Sequence, residues 1–154
     1  MTNIEMLENT LPIAPLKLIA MESCKPLGQK VNDYIVSFRE NTINEVTESP
    51  LYRNYKANNY QVDCSCPRFG SGEAKGILKE TIRGTDLFIM TDVCNYSLTY
   101  TVNGHLNHMS PDDHYQDLKR IIAAATGKAR RINVIMPFLY ESRQRKRTRR
   151  ESLD

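Results

Sequence analysis

Residues 131–150, RINVIMPFLYESRQRKRTRR, set the frame for the rest of the chain. Ile132 to Met136 is rich in β-branched and apolar side chains and reads as a buried strand. Pro137 has no N–H to donate, so the strand's ladder stops there. A polar, cationic segment follows directly. Ligands of open α/β sheets bind at the carboxyl edge of the strands, and guanidinium groups grip phosphate oxygens through paired donors. The segment is therefore a candidate phosphate-ester site, with a solvated charge run and a nucleic-acid patch as the two competing readings.

Working upstream, Ser110-Pro111-Asp112-Asp113 opens a helix. Serine caps, proline takes the first helical position and the acid three residues on completes a capping box. Tyr115, Leu118, Ile121, Ile122 and Ala125 form its apolar face, and Gly127 ends it. Before it, Leu87 to Thr91 (LFIMT) is a continuous apolar run, the pattern of a central strand covered on both faces. Strand, helix and strand from Leu87 to Met136 make one right-handed crossover with parallel strands. Between them, Asn103-Gly104 inside residues 95–109 predicts a two-residue hairpin turn and a small two-stranded excursion. His105 and His108 read as surface residues of that hairpin, with His114 further on; ligand spacing for a metal is lacking.

Earlier still, Leu16 to Met21 (LKLIAM) predicts a first strand. Leu27, Val31, Ile35 and Phe38 then step by four, four and three, the stripe of an amphipathic helix from Lys25 to about Glu40. Residues 1–15 read as an irregular or weakly helical lead-in. Residues 41–68 carry no clean period and predict an insertion or long loop, with one short strand around 60–64. Phe69-Gly-Ser-Gly-Glu73 is a turn. Lys75 to Arg83 predicts a partly exposed strand, expected beside the 87–91 strand in the same sheet.

Composition bounds the class. With 154 residues, 40% hydrophobic and 25% charged, the chain suits one globular domain. No apolar run reaches the roughly 20 residues that cross a bilayer, and the start lacks a signal-peptide pattern, so a cytoplasmic location is expected. The six cations of residues 143–150 exceed the total charge of +3, leaving −3 for the remainder. A dedicated nucleic-acid binder spreads cations over a whole face, so the concentration in one segment favours a small anion over a polymer. Cys24, Cys64, Cys66 and Cys94 fit no common zinc pattern and read as reduced thiols used as small hydrophobes.

Three ordered motifs carry a family resemblance. Phe69-Gly-Ser-Gly-Glu73, Ile77, Glu80 and Ile82-Arg-Gly-Thr-Asp-Leu-Phe-Ile-Met90 resemble the F-S-D/N-x-E and V-x-I-x-E-x-V-R-G-x-D-V-F-I-I pattern of ribose-phosphate pyrophosphokinases. Asp112-Asp-His-Tyr-Gln-Asp-Leu118 is similar to the family's N-D-x-L-M-E-L, and Val134-Ile-Met-Pro137 with Arg143-Gln144 to its V-I-P-x-x-x-x-A-R-Q-D. The resemblance covers residues 16–40 weakly and 69–147 well.

It implies a three-layer α/β fold of the phosphoribosyltransferase-like kind, with a mainly parallel sheet and the hairpin as an insertion. It also implies transfer of pyrophosphate from MgATP to ribose 5-phosphate, for nucleotide biosynthesis, by a homo-oligomer that binds no membrane and, as expected here, no nucleic acid. Phe69 would stack on adenine, Ser71 would lie beside it, and Glu73 would reach the nucleotide from a neighbouring subunit's loop. Arg143 and Gln144 would contact ATP. Thr81 and Arg83 match positions that hold an effector phosphate in some members, and also fit ordinary strand and turn residues.

The chain departs from the family pattern at Ser71, at Arg145 in place of an acid, at Thr148, and in its insertions near 41–68 and 95–107. The family's metal-binding histidine, pyrophosphate loop and ribose 5-phosphate loop would fall after Asp154. The chain is thus expected to be the first domain of two, core about 16–40 and 69–150, with no catalytic or metal-ligating residue of its own, inactive alone, and with Mg2+ arriving on ATP. A non-catalytic assembly homologue and a nucleic-acid-binding module remain as alternative functions.

Overall fold

The computed structural model describes residues 12–42 and 55–152; residues 1–11 of the expected lead-in and 43–54 of the expected insertion lie outside them. Its frame is a parallel three-stranded sheet of β1 (Leu16–Ala20), β4 (Asp86–Met90) and β7 (Arg131–Ile135), in the order β1-β4-β7. Register puts Leu18, Phe88 and Asn133 in one row. On the outer side of β1, Leu18 pairs in parallel with Gln61: its N–H donates to the Tyr60 carbonyl at 2.9 Å, and its carbonyl accepts from Val62 at 2.8 Å. The expected strand at 60–64 is thus a single bridge followed by β2 (Cys64–Ser65).

Strand residues alternate between two layers, as the pleat requires. Leu18 and Met90 point toward helix α1 (Lys25–Thr42), where they pack with Cys24, Val31 and Phe88. Ile19, Leu87 and Ile89 point the other way, against Leu118, Ile121 and Ala125 of α2 (Pro111–Ala125). The sheet lies between two helices, as the three-layer reading requires. The chain leaves β1 by way of α1 toward residues 60–62, and leaves β4 by way of α2 toward β7 on the opposite side. The winding direction therefore reverses between β1 and β4.

The helix stripe of α1 is displaced from its expected position. Leu27 is 43% exposed, while Gly28 and Asn32 face the sheet. A Cβ on Gly28 would sit 2.2 Å from the Ala20 Cβ, so helix and strand approach more closely than a leucine would permit. Asn32 is buried because its carboxamide oxygen accepts the Tyr60 N–H at 2.9 Å, fixing the outer bridge. Helix α2 follows its sequence closely. Ser110 accepts from the Asp113 N–H and the Asp113 side chain accepts in return, with Pro111 in the first turn.

Two strand expectations are corrected. Of Lys75–Arg83 only β3 (Ile77–Leu78) is strand, and it pairs antiparallel with β2 in a separate ribbon rather than with β4. Gly76 explains the placement: a Cβ there would meet the Arg120 carbonyl oxygen at 2.6 Å, so β3 lies directly against the α2 backbone. Strand β7 is not buried. It is the sheet's edge, and Val134 and Ile135 are 43% and 39% exposed because a partner flanks it on one side alone. The hairpin forms as expected from β5 (Thr99–Val102) and β6 (His105–His108), with Asn103 and Gly104 at φ of 50° and 80°. The thiols are free, but Cys94 is exposed, unlike the buried or half-buried other three.

Candidate functional site

The segment after β7 leaves the carboxyl edge of the sheet on a short, braced loop. The Tyr140 ring meets Tyr115 of α2 edge-on at 5.4 Å, and its hydroxyl donates to the Asp112 carboxylate. That hydrogen bond pushes the Tyr140 phenol up to about 12. Glu141 turns the chain at φ 64°, in the left-handed region, and the Ser142 hydroxyl donates to the Leu139 carbonyl at 2.8 Å.

Arg143 follows, exposed, and among the described residues no hydrogen bond or ion pair engages its guanidinium. Gln144 differs. Its carboxamide donates to the Lys146 carbonyl at 3.0 Å and to Glu151 at 3.3 Å, so it is held within its own segment. The Thr148 N–H also donates to Glu151, and this backbone hydrogen bond is the first cause of a carboxyl held below its usual range. Glu151 is thus held by Gln144 and Thr148 of its own segment, and the six cations of residues 143–150 are all exposed.

The second candidate is the 69–73 loop. Its neck is an antiparallel bridge between Arg68 and Ala74, and the Phe69 N–H donates to the Glu73 carbonyl at 2.7 Å. Gly72 takes φ 90°, which a side chain would resist. The Ser71 hydroxyl donates to the Glu73 carboxylate at 2.9 Å, and Phe69, next to the neck, is half-exposed. The loop stands on a buried ion pair. Arg68 donates from both terminal nitrogens to Asp117 of α2 at 2.9 and 3.0 Å, Arg120 adds a third donor at 2.6 Å, and the Arg68 guanidinium lies 4.8 Å over the Tyr100 ring. Arg68 and Asp117 side chains are each 7% exposed.

No hydrogen bond, ion pair or ring contact joins Phe69, Ser71 or Glu73 to Arg143 or Gln144 within the chain, among the described residues. Thr81 and Arg83 are exposed in the turn preceding β4, where the Arg83 N–H meets the Thr81 hydroxyl at 3.4 Å. Because the strands are parallel, that turn lies at the opposite end of the sheet from Arg143. Sequence reasoning missed the Arg68–Asp117–Arg120 group, since Arg68 and Asp117 stand 49 positions apart and no local signal links them. His105 and His108 are exposed on the hairpin as expected, whereas His114, for which sequence reasoning offered no placement, is 3% exposed inside α2's first turns and its Nε2 meets the Asn95 carbonyl at 2.8 Å. The i, i+4 spacing of His114 with Leu118, on the helix's inward side, was the available clue.

Comparisons with known proteins point to one family. Residues 16–154 match the model of a family described as the N-terminal domain of ribose phosphate pyrophosphokinase. A ribose-phosphate pyrophosphokinase of Staphylococcus epidermidis is 26% identical over 144 residues, 94% of this chain and 34% of that protein. One from Bacillus caldolyticus is 34% identical over 86 residues, 56% of this chain and 23% of that protein. Among solved structures, phosphoribosylpyrophosphate synthetase from Mycobacterium smegmatis superposes with a TM-score of 0.58 at 20% identity, covering 90% of this chain and 35% of that one. The chain spans about a third of the length of the curated relatives it matches along most of its own length.

Proposed function

Because the chain belongs to the family of the N-terminal domain of ribose phosphate pyrophosphokinase, we propose that it serves as the nucleotide-holding domain of an enzyme that moves pyrophosphate from MgATP to ribose 5-phosphate. In that reaction the C1 hydroxyl oxygen attacks the β-phosphorus, the bond from that phosphorus to the oxygen bridging it to the α-phosphorus breaks, AMP leaves and the hydroxyl proton is released. The observation that carries the reading is Arg143: a guanidinium with no acid on it among the described residues, matching the family's Arg-Gln motif and set just past the carboxyl edge of the sheet.

Its role would be to hold phosphate oxygens, and phosphoryl transfer asks for such positioning and charge neutralisation above all. Phe69, half-exposed and rigidly presented, would stack on adenine, with Ser71 orienting Glu73 toward the same nucleotide from a second copy of the chain. Magnesium would come bound to the ATP phosphates, since it keeps several waters and needs few protein oxygens. Among the described residues no three of His, Cys, Asp and Glu converge as a cage. Thr81 and Arg83, at the far end of the sheet, would hold an effector phosphate away from the reacting groups.

The test is Arg143→Ala in the intact protein. The ATP KM should rise, or kcat fall, by about tenfold or more, the scale of one lost charge-assisted contact. Unchanged kinetics would remove ATP from this loop. A second reading, a non-catalytic assembly homologue, is favoured by Arg145, which stands where the family pattern has an acid. It is separated by assaying AMP release, which that homologue would not support.

A further inference from the structure

Beyond the nucleotide loops, the structure encloses a cavity of about 300 Å³ beside the point where the sheet's winding reverses. Ligands of doubly wound sheets favour such a crevice at the strands' carboxyl ends. Met21, at the end of β1, forms one wall, Cys64 and Cys66 another, and Tyr100 and Met109 of the hairpin region cover it. The lining is mostly apolar and rich in sulfur, which makes favourable contacts with aromatic rings. Burial pushes the Cys64 and Cys66 thiols up to about 11 and 12, so neither contributes charge near neutrality.

One polar group on this wall is distinctive. His114 is 3% exposed and lines the cavity. Its Nε2 meets a carbonyl oxygen, which can only accept, so Nε2 carries a proton, and in that tautomer Nδ1 is the ring's acceptor. Among the described residues no hydrogen bond reaches that nitrogen, and the His114 side chain lines the cavity. The charges nearby are spent. Arg68 gives both terminal nitrogens to Asp117, Asp117 also takes Arg120, and Glu22 at the rim pairs with Lys25. An ionic ligand would lose its hydration and find no free counter-charge.

We propose that this cavity is a binding site for a small, neutral heteroaromatic molecule that donates one N–H to His114 Nδ1 while its ring contacts the sulfur and tyrosine walls. It is distinct from the 69–73 and 143–144 loops assigned to ATP, and stands or falls independently of them.

Indole and 1-methylindole, which differ in the N–H, are suitable probes for the folded chain by two-dimensional NMR titration. Indole should bind saturably with a dissociation constant of about 1 mM or tighter, shifting the amides of residues 64–66, 99–100 and 114, with saturating ATP leaving the titration unchanged. 1-Methylindole should bind about fivefold more weakly, the scale of one hydrogen bond. His114→Phe should abolish that preference, and Ser65→Phe, which fills the cavity from β2, should abolish binding. Should His114→Phe fail to fold, the probe pair on the unaltered chain and Ser65→Phe decide the matter. No saturable shift at these residues, equal affinity for the two probes, or competition by ATP would overturn the proposal.

Discussion

Asp117 shows how much can rest on a single carboxylate. It sits on the inward side of α2, and its oxygens take three hydrogen bonds from Arg68 and Arg120. The same Arg68 begins the 69–73 loop, so the pair joins the proposed adenine-stacking loop to the helix beneath it. Asp117→Ala leaves a buried guanidinium without a counter-ion. That should cost about 3–5 kcal/mol, read from the urea midpoint. Arg68→Met combined with Asp117→Leu removes both charges at once and should recover most of that loss, because well-packed apolar pairs replace buried ion pairs at little net cost. If the double variant were as unstable as the single one, shape rather than charge would set the site. No sequence pattern revealed this group, because Arg68 and Asp117 come together only when the β2–β3 ribbon packs on α2.

At the scale of elements, two helices of similar apolar patterning behaved differently. Helix α2 was legible down to its cap, since a capping box and a proline at the first turn act through local geometry that tertiary contacts reinforce. The hairpin turn was legible for the same reason: Asn103 and Gly104 both take positive φ, which few residue types accept. In α1 the stripe predicted Leu27 inward, but close approach at Gly28 turned the helix so that Leu27 faces outward. Gly28→Ala sets two effects against each other. Helix propensity should gain about 0.5–1 kcal/mol, and the 2.2 Å encounter with Ala20 should cost about 1–3 kcal/mol as overpacking. Net destabilisation is therefore expected, measured as a lower melting temperature; a higher one would mean that α1 can slide off β1 at no cost.

For the molecule as a whole, charge is distributed unevenly, with the six cations of residues 143–150 exposed on one segment. If that segment holds a single nucleotide, raising salt from 50 to 200 mM should change ATP affinity only modestly. A polymer neutralised by all six would lose about a thousandfold or more over the same range. Fluorescence titrations with ATP and with a single-stranded oligonucleotide at the two salt concentrations separate these outcomes, and a steep salt dependence for ATP itself would count against a compact site. By itself, the sequence determined the features set by neighbouring residues: the strand–helix–strand crossover, the capped helix, the hairpin, and the motifs that place the chain in its family. Only the tertiary structure decided that β7 is an exposed edge, that β3 belongs to a separate ribbon on α2, that Leu27 faces solvent, and that His114 and Asp117 are buried. The physical reason is range. Caps, turns and periodicity act within a few residues, whereas burial of a polar side chain or the partner of a strand depends on which distant surfaces meet, and the chain's order does not record that.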